Sequence, residues 1–337
     1  MNSRTGSKSF TRRELLQKTT PILGGAAVAQ LFPGAFKARI FVGRAAAAAY
    51  LRQDAPAVDR LPAFRAQIGA LPIETIKLGE NLTMLSGPGG NVVILSGPDG
   101  TISVDGFVQP AWPRLKHIID GMGNAPLKLL IDTHWHWDHT DNNSAFHEAG
   151  AAILAHENTK KRLTESHEFM GMRFRPAPPD ALPTQTLKDT HRLQTNGETL
   201  DLVYVPPAHT DSDIYVRYQK ADVLHCGDLF FNGAYPFIDA QTGGSIHGMI
   251  AGAEKLLKVS DSNTKVVPGH GPLGNKAALT KYREVLVIAR ERVQKLKSSG
   301  KKLEEVVAAK PLSEFDADWG KGFMNPEQFL NVVYNTL

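Results

Sequence analysis

The sequence contains very little cysteine: its 337 residues include a single one, Cys226. A lone cysteine excludes an internal disulfide, so a hydrophobic core must hold the fold together. Hydrophobic residues make up 42% of the chain and charged residues 21%, which is ordinary for a soluble globular protein. A chain of this length forms one large domain or two of average size.

Long hydrophobic runs are also absent. The strongest candidate, from about Pro21 to Phe32, is shorter than the ~20 residues that a membrane-spanning helix needs. Gly24 and Gly25 interrupt it, and Pro33 follows directly. We therefore expect no membrane span in the mature chain.

An excess of positive charge is confined to the N-terminus. Residues 1–49 carry eight Lys or Arg and one Glu, whereas the remainder carries 30 basic and 33 acidic residues. The net charge of +4 therefore belongs to the first 49 residues, and the rest of the chain is weakly acidic. We expect no nucleic-acid partner, because such partners need a basic surface.

Residues 1–49 resemble a twin-arginine export signal. The stretch "SFTRRELLQK" holds Arg12 and Arg13, followed by a polar residue and two leucines. A weakly apolar stretch and the run Ala45–Ala49 follow, and small residues of this kind form cleavage sites. We expect the export machinery to recognise this leader and the mature protein to be periplasmic or secreted. The alternatives are an uncleaved anchor and a disordered tail.

The order of the remaining segments predicts an α/β fold. Residues 50–73 have no clear period, and we interpret them as a linker or an edge element. From Ile73, short apolar runs separated by "PGG" and "PDG" turns predict a β-meander, and alternating strand-like and helix-like segments follow. Residues 170–186 are Pro-rich and predict a long loop, either a lid over a site or a surface excursion.

A helical segment is predicted for residues 276–337, after the α/β region. Its first helix carries apolar residues at helical spacing, and Gly300 is placed to end it. The predicted buried positions are Leu279, Tyr282, Leu286, Ala289, Val293 and Leu296.

The stretch "DTHWHWDHTDNN", residues 132–143, predicts a metal site. His134 and His136 lie two residues apart, so in an extended segment their imidazoles point to the same side. Asp138 and His139 follow where the chain turns into a helix. Imidazole and carboxylate groups together suit zinc or a similar divalent ion.

Three further candidate ligands lie downstream, each just after a predicted strand. His209 occurs in "VPPAHTDSD", Asp228 in "HCGDLFF" and His270 in "VVPGHGP". Loops that follow strands converge beside a sheet, so we expect these side chains to meet the first cluster.

In order and spacing, this set resembles the five motifs of the metallo-β-lactamase fold superfamily, over residues 74–275. The resemblance implies an αββα sandwich with a C-terminal helical tail. It also implies that His134, His136 and His209 hold one metal and that Asp138, His139 and His270 hold the other. Asp228 is implied to bridge the two metals, and Asp105 to orient the cluster loop through hydrogen bonds.

The residue at the bridging position indicates which members of the superfamily the chain resembles most. Zinc β-lactamases carry a cysteine or a serine there, whereas Asp228 followed by "LF" is more similar to glyoxalase II and the lactonases. Glyoxalase II also has a glutathione-binding helical tail, for which residues 276–337 show no clear basis. Where many members place two glycines after the cluster, this chain has Asp141 and Asn142, which we interpret as hydrogen-bond partners of the ligand histidines.

The resemblance implies a dinuclear zinc hydrolase of the β-lactamase-like class. Two divalent ions sharing a bridging hydroxide would attack a small-molecule lactam, lactone, ester or thioester. Asp138 would move the proton as well as bind metal. The alternatives are an iron-dependent sulfur dioxygenase of the same superfamily, a two-metal phosphodiesterase and a non-catalytic metal-binding protein.

Substrate contacts are predicted in residues 229–245, directly after Asp228. Asn232 or Tyr235 would donate a hydrogen bond to an oxyanion, unless the aromatic residues of this segment belong to the core. Trp135 and Trp137 alternate with the ligands, and we expect them to pack beneath the site.

Overall fold

Two mixed β-sheets form the centre of the fold in the computed structural model, which describes residues 59–169 and 172–337. The predicted leader, residues 1–49, lies outside the described residues, as does the first part of the predicted linker. No helix of the described ranges is both long and apolar enough to cross a bilayer.

The first sheet has seven strands, numbered here along the chain. In spatial order they are β1 (Glu74–Lys77), β2 (Leu82–Gly87), β3 (Gly90–Leu95), β4 (Thr101–Val104), β5 (Leu127–Ile131), β6 (Ala152–His156) and β9 (Gln185–Leu187). The strands β1 to β4 form an antiparallel meander, whereas β4, β5, β6 and β9 pair in parallel. The predicted order, a meander followed by alternating elements, is therefore confirmed.

The second sheet has six strands, in an order that follows the chain. They are β10 (Thr190–Thr195), β11 (Glu198–Tyr204), β12 (Ile214–Tyr218), β13 (Val223–His225), β14 (Lys265–Val267) and β15 (Gly274–Asn275). Only β13 and β14 pair in parallel. A separate hairpin consists of β7 (His167–Phe169) and β8 (Met172–Phe174).

The helices surround the two sheets. They are α1 (Leu61–Gly69), α2 (Trp112–Asp120), α3 (Trp137–Thr140), α4 (Asn143–Glu148), α5 (Glu157–Leu163), α6 (Ile246–Lys258), α7 (Lys276–Ser298), α8 (Leu303–Ala308), α9 (Ser313–Trp319) and α10 (Pro326–Asn335).

Alternate residues of the buried strands face different layers. In β3, Val93 and Leu95 pack between the two sheets, whereas Val92 and Ile94 pack against α2 on the outer face. In the second sheet, Val223 faces the space between the sheets and its neighbour Leu224 faces the outer helices. Both faces of these strands are buried, which explains why the runs are almost uniformly apolar. The order of layers is helix, sheet, sheet, helix.

The C-terminal helices share one core with the second sheet. Leu279, Tyr282, Leu286, Ala289 and Val293 of α7 are buried, as predicted, and Leu296 is partly buried. The helix ends at Ser298, and Gly300 adopts a φ of 85°, a left-handed conformation that suits glycine after a helix end.

Two segments that were predicted to lack regular structure carry short elements. Helix α1 lies within the predicted linker, and Leu61 and Ile68 are buried there. Residues 172–174 of the predicted long loop form β8, and the last two residues of that loop belong to β9. The helical pattern of α1 was missed because Pro62 and alanines dilute its apolar face.

Candidate metal centre

The seven predicted ligands lie at one edge of the two sheets, in loops that follow strands. The loop after β5 and the short helix α3 that follows it carry the first four, and the segments after β11, β13 and β14 carry His209, Asp228 and His270. The parallel pairs β4–β5 and β13–β14 place their carboxyl ends side by side, which brings distant parts of the sequence together. The seven ligands are His134, His136, Asp138, His139, His209, Asp228 and His270.

Two groups of potential ligands form within this set. In each group the candidate ligand atoms lie within 4.8 Å of one another. The first group contains His134, His136, His209 and Asp228, and the second contains Asp138, His139 and His270.

Asp228 lies between the two groups. Its Oδ2 is 3.4 Å from Nε2 of His209 and 3.3 Å from Nε2 of His270, and its Oδ1 is 3.3 Å from Nε2 of His139. The structure thus places one carboxylate in reach of both groups. Burial raises the pKa of Asp228, but His270, His139 and His209 together bring it well below its ordinary value.

Two ligand histidines are held in orientation by hydrogen bonds from the ring nitrogen that faces away from the centre. Nδ1 of His209 lies 2.8 Å from the carbonyl oxygen of Phe237, and Nδ1 of His139 lies 2.8 Å from Oδ2 of Asp105. Because each Nδ1–H donates, Nε2 is the ring nitrogen that is directed at the centre. Burial lowers the pKa of His209 to about 4, so its ring is neutral near pH 7.

Asp105 also holds the backbone of the cluster loop. Its Oδ1 accepts from the Thr133 amide at 2.8 Å and its Oδ2 from the Thr133 hydroxyl at 2.9 Å. Asp105 has a φ of 65°, an uncommon conformation for a residue with a side chain, which turns the chain sharply after β4. The orienting role that the resemblance implied for Asp105 is seen in these contacts.

In His136 the ring nitrogen that contacts an orienting partner is Nε2 rather than Nδ1. Its Nε2 is 3.3 Å from Oδ2 of Asp239, and its Nδ1 is 2.8 Å from Nε2 of His209. If Asp239 and Phe237 accept the two ring protons, two lone pairs face each other at that distance. Such lone pairs repel unless a cation or a proton lies between them, so this geometry fits a metal ion.

Several buried polar atoms of the centre lack hydrogen-bond partners among the described residues. They are Nε2 of His134, Nε2 of His139 and Oδ1 of Asp228. A buried polar atom without a partner is costly, and groups of this kind are normally satisfied by protein, water or metal. These three atoms face the same small volume, so the donor set fits divalent cations.

A pocket opens over this centre, and its walls are mainly aromatic. Asp138, His136, Asp228 and His270 form its polar floor together with Asp239. The aromatic side chains that line it are Phe64, Trp135, Trp137, Phe174, Phe231, Phe237 and Phe323. Metals held at the floor would therefore be open to a small molecule from one side.

A family comparison covers the part of the chain that builds this centre. A model of the Metallo-beta-lactamase superfamily matches residues 85–270, which is more than half of the 337 residues. The chain belongs to the metallo-β-lactamase superfamily. This membership confirms the predicted αββα fold and the predicted class, a β-lactamase-like metal-dependent hydrolase.

Sequence relatives of this metallo-β-lactamase-fold protein are distant. The probable metallo-hydrolase YqgX of Bacillus subtilis is 24% identical over 166 residues, which cover 47% of this chain and 75% of that protein. A hydroxyacylglutathione hydrolase of Polaromonas is 28% identical over 159 residues, or 46% of this chain and 52% of that enzyme. The chain therefore spans about half the length of the hydroxyacylglutathione hydrolase it matches.

Solved structures support the same fold. A metallo-beta-lactamase from Pontibacter korlensis aligns with a TM-score of 0.55 at 19% identity, covering 64% of this chain and 99% of that one. The sec-alkylsulfatase Pisa1 from Pseudomonas aligns with a TM-score of 0.60 at 16% identity, covering 85% of this chain and 53% of that one. At these identities the similarity concerns the fold.

The two predicted oxyanion donors do not line the pocket of this metallo-β-lactamase-fold protein. The Asn232 amide donates to the carbonyl of Pro272 at 2.8 Å. Tyr235 is buried, stacks on Phe329 at 4.5 Å and donates its hydroxyl to Asp316 at 2.8 Å. Both side chains are occupied in holding other segments, so neither is placed to contact a substrate. From the same segment, Phe231 and Phe237 do line the pocket.

Two other sequence interpretations are also corrected. Asp141 accepts from Arg65 and from the Gln109 amide, and Asn142 donates to carbonyl oxygens such as that of Gly106. Neither contacts a ligand histidine, and both instead hold neighbouring loops. Trp135 and Trp137 line the pocket above the centre rather than packing beneath it.

Asp239 is the functional candidate that sequence reasoning missed. It lies 30 residues or more along the sequence from every ligand histidine, and a lone aspartate in "PFIDAQ" carries no metal-site spacing. Its Oδ2 accepts from Thr242 at 2.7 Å, and its Oδ1 accepts from the Gln241 amide at 3.1 Å. Those bonds fix the carboxylate against His136.

Replacing Asp239 with Asn should weaken metal binding about 10- to 100-fold, because the partner that orients His136 loses its charge. The measurement is zinc affinity by competition with a chromophoric chelator. Asp261→Asn, a change at an exposed loop aspartate, is the matched control. Equal zinc affinities in the Asp239 variant and the parent would show that this carboxylate does not support the site.

Proposed function

We propose that this protein is a dinuclear zinc hydrolase that cleaves a carbonyl substrate: an ester, a lactone, a thioester or a lactam. The observation that carries the proposal is the shared position of Asp228, within 3.4 Å of His139, His209 and His270. A carboxylate in reach of both ligand groups suits a pair of metals better than a single ion.

The identity of the donors supports zinc. Five imidazoles and two carboxylates, with no sulfur ligand, suit zinc and similar divalent ions. Two such ions would lower the pKa of a water molecule and polarise a carbonyl oxygen, which is the chemistry that hydrolysis needs.

Asp138 is the side chain best placed to move a proton. It lines the pocket, its carboxylate is 19% exposed, and its Oδ2 lies 3.4 Å from Nε2 of His270. Asp228 is only 5% exposed, which makes it the better structural ligand. We assign Asp138 Oδ2 as the acceptor of the water proton and its donor to the leaving group.

The sequence relatives favour carbonyl substrates. Proteins named hydroxyacylglutathione hydrolase match nearly half of this chain, and they support hydrolysis of an acyl bond. A phosphodiester substrate is less well supported, because no Lys or Arg lines the pocket among the described residues.

The test is a hydrolysis panel with the zinc-loaded protein that begins after residue 49. The panel contains a chromogenic cephalosporin, an acylated homoserine lactone, a thioester, an aryl ester and bis(4-nitrophenyl) phosphate, and metal content is measured on the same samples. We expect two zinc ions per chain and turnover of at least one carbonyl substrate. Turnover of the phosphate diester alone, or oxygen uptake with a persulfide and iron, would contradict the proposal and favour one of the alternatives.

We further propose that residues 1–49 direct export through the twin-arginine pathway. Arg12 and Arg13 are the basis of the proposal, so Arg12→Lys together with Arg13→Lys should retain the protein in the cytoplasm. The measurement is cell fractionation of the full chain in a bacterial host. Lys37→Arg, which lies in the same leader, is the control, and export of the double-lysine variant at the normal level would contradict the assignment.

A further inference from the structure

Part of the pocket wall comes from segments that the family match does not include. Phe64, Ile68 and Leu71 come from α1 and the residues after it, and Phe323 follows α9. All four lie outside residues 85–270. The matched region supplies the other aromatic side chains of the wall, and these two segments extend it.

The added segments form a continuous aromatic surface with the cluster loop. The ring of Phe64 lies 5.7 Å from that of Trp137, and the ring of Phe174 lies 6.2 Å from Trp137 on the hairpin side. On the opposite side, Phe323 lies 6.3 Å from Phe237. Rings at these separations are in contact and exclude water from the volume between them.

The wall offers no positive charge to a substrate. Among the described residues no Lys or Arg lines the pocket, so positive charge would reach a substrate from metals held at the floor and not from a side chain of the aromatic wall. Arg65 lies 5.8 Å from the ring centre of Trp137 but donates to Asp141 at 2.5 Å. Arg65, Arg162, Arg173 and Arg175 border a neighbouring cavity, which shares the rings of Trp137 and Phe174 with the pocket.

A carboxylate buried among these rings would lose its hydration with no Lys or Arg among the pocket-lining side chains to pair with it, whereas an alkyl or aryl group would gain contact area. We propose that the substrate is an uncharged ester or lactone whose apolar acyl group lies between Phe64 and Phe174. This inference rests on the proposed carbonyl hydrolysis. The bond between the acyl carbon and the ester oxygen breaks, the acyl carbon gains the OH of water, and the leaving oxygen takes the remaining proton. An ester therefore gives a carboxylic acid and an alcohol, and a lactone gives one hydroxy acid.

Two esters with the same leaving group test the inference. They are 4-nitrophenyl hexanoate and the mono-4-nitrophenyl ester of adipic acid, whose six-carbon chain ends in a carboxylate. With the zinc-loaded protein, we expect kcat/KM for the hexanoate to be at least about 100-fold higher. Equal rates would overturn the inference while leaving the proposed hydrolysis intact. If neither ester nor the corresponding lactones react but the thioester or the cephalosporin does, the inference fails and the proposed hydrolysis stands. If no carbonyl substrate reacts, both fail.

Substitutions in the pocket wall test where the acyl group lies. Phe174→Ala should lower kcat/KM for the hexanoate about tenfold more than for 4-nitrophenyl acetate, because only the longer chain reaches this ring. Phe315→Ala, at a partly buried phenylalanine of α9 that does not line the pocket, is the matched control and should keep the parental ratio. Equal losses for both esters in Phe174→Ala would overturn the assigned position.

A binding measurement tests the contribution of the pocket wall separately from that of the metals. N-phenylhexanamide and its adipic counterpart resist hydrolysis, and calorimetry with metal-free protein measures their affinities directly. We expect the uncharged anilide to bind at least tenfold more tightly, and Phe64→Ala to remove that preference. Tighter binding of the charged anilide would overturn the inference independently of any catalytic rate.

Discussion

An Asp228→Asn variant is expected to bind fewer than two zinc ions and to lose hydrolysis by more than about 100-fold. Loss of an outer partner of a metal ligand already costs about 10- to 100-fold, and Asp228 lies within reach of both ligand groups. An amide has one acceptor oxygen and no charge, so it cannot neutralise two cations. Its NH2 group would also replace the oxygen that faces either His139 or His270, each 3.3 Å from a carboxylate oxygen, and an amide NH2 does not bind a metal as a carboxylate oxygen does.

Metal content by mass spectrometry and kcat/KM on the same preparation measure this effect. Asp120→Asn, at an exposed aspartate of α2, is the matched control and should change neither value. Circular dichroism of both variants establishes that the fold is retained. Two zinc ions and a normal rate in the Asp228 variant would remove its assignment as the shared ligand.

The ligands were predictable because each carries a local signal. His134, His136 and Asp138 alternate over five residues, and that density has no ordinary packing explanation. His209, Asp228 and His270 are single residues, and their signal is the strand that precedes each of them. The strands end at the same edge only because of sheet order, which a single sequence does not reveal. The resemblance to a known family supplied that step.

The substrate side was not predictable in the same way. Tyr235 and Phe237 are two residues apart in one aromatic-rich segment, yet Tyr235 packs into the helical core and Phe237 lines the pocket. Phe64 and Phe323 come from segments without a motif, and they reach the pocket through packing of α1 and of the loop after α9. Aromatic residues are frequent in cores and in pockets alike, so residue type alone does not separate the two positions.

The close backbone packing beneath the metal centre also could not be predicted from the positions of the ligands in the sequence. The turn that carries Asp228 and the turn that carries His270 are joined through Gly269. Its amide donates to the carbonyl of Gly227 at 2.7 Å, and its own carbonyl accepts from Asn91 at 2.9 Å. Three segments of the chain therefore meet at a residue that has no side chain.

Gly269→Ala is expected to destabilise the fold and to disrupt the centre together. A Cβ at this position would overlap Oδ1 of Asp228 and lie 2.7 Å from the backbone carbon of Gly227. The Gly227 backbone cannot withdraw without breaking its hydrogen bond to Gly269, so the Asp228 carboxylate must move away from His139. Forced overpacking costs about 1–3 kcal/mol in cores, and we expect a value near 3 kcal/mol here.

Thermal unfolding and zinc content measure the two effects, with an expected fall of several degrees in Tm and the loss of about one zinc ion per chain. Gly79→Ala is the control, because a Cβ there would lie 3.6 Å from Leu82, an ordinary contact. A Gly269 variant with parental Tm but reduced zinc would mean that the carboxylate moves without strain in the backbone. Parental values for both would mean that the turns separate easily, and the rigid support that we assign to this glycine would be wrong.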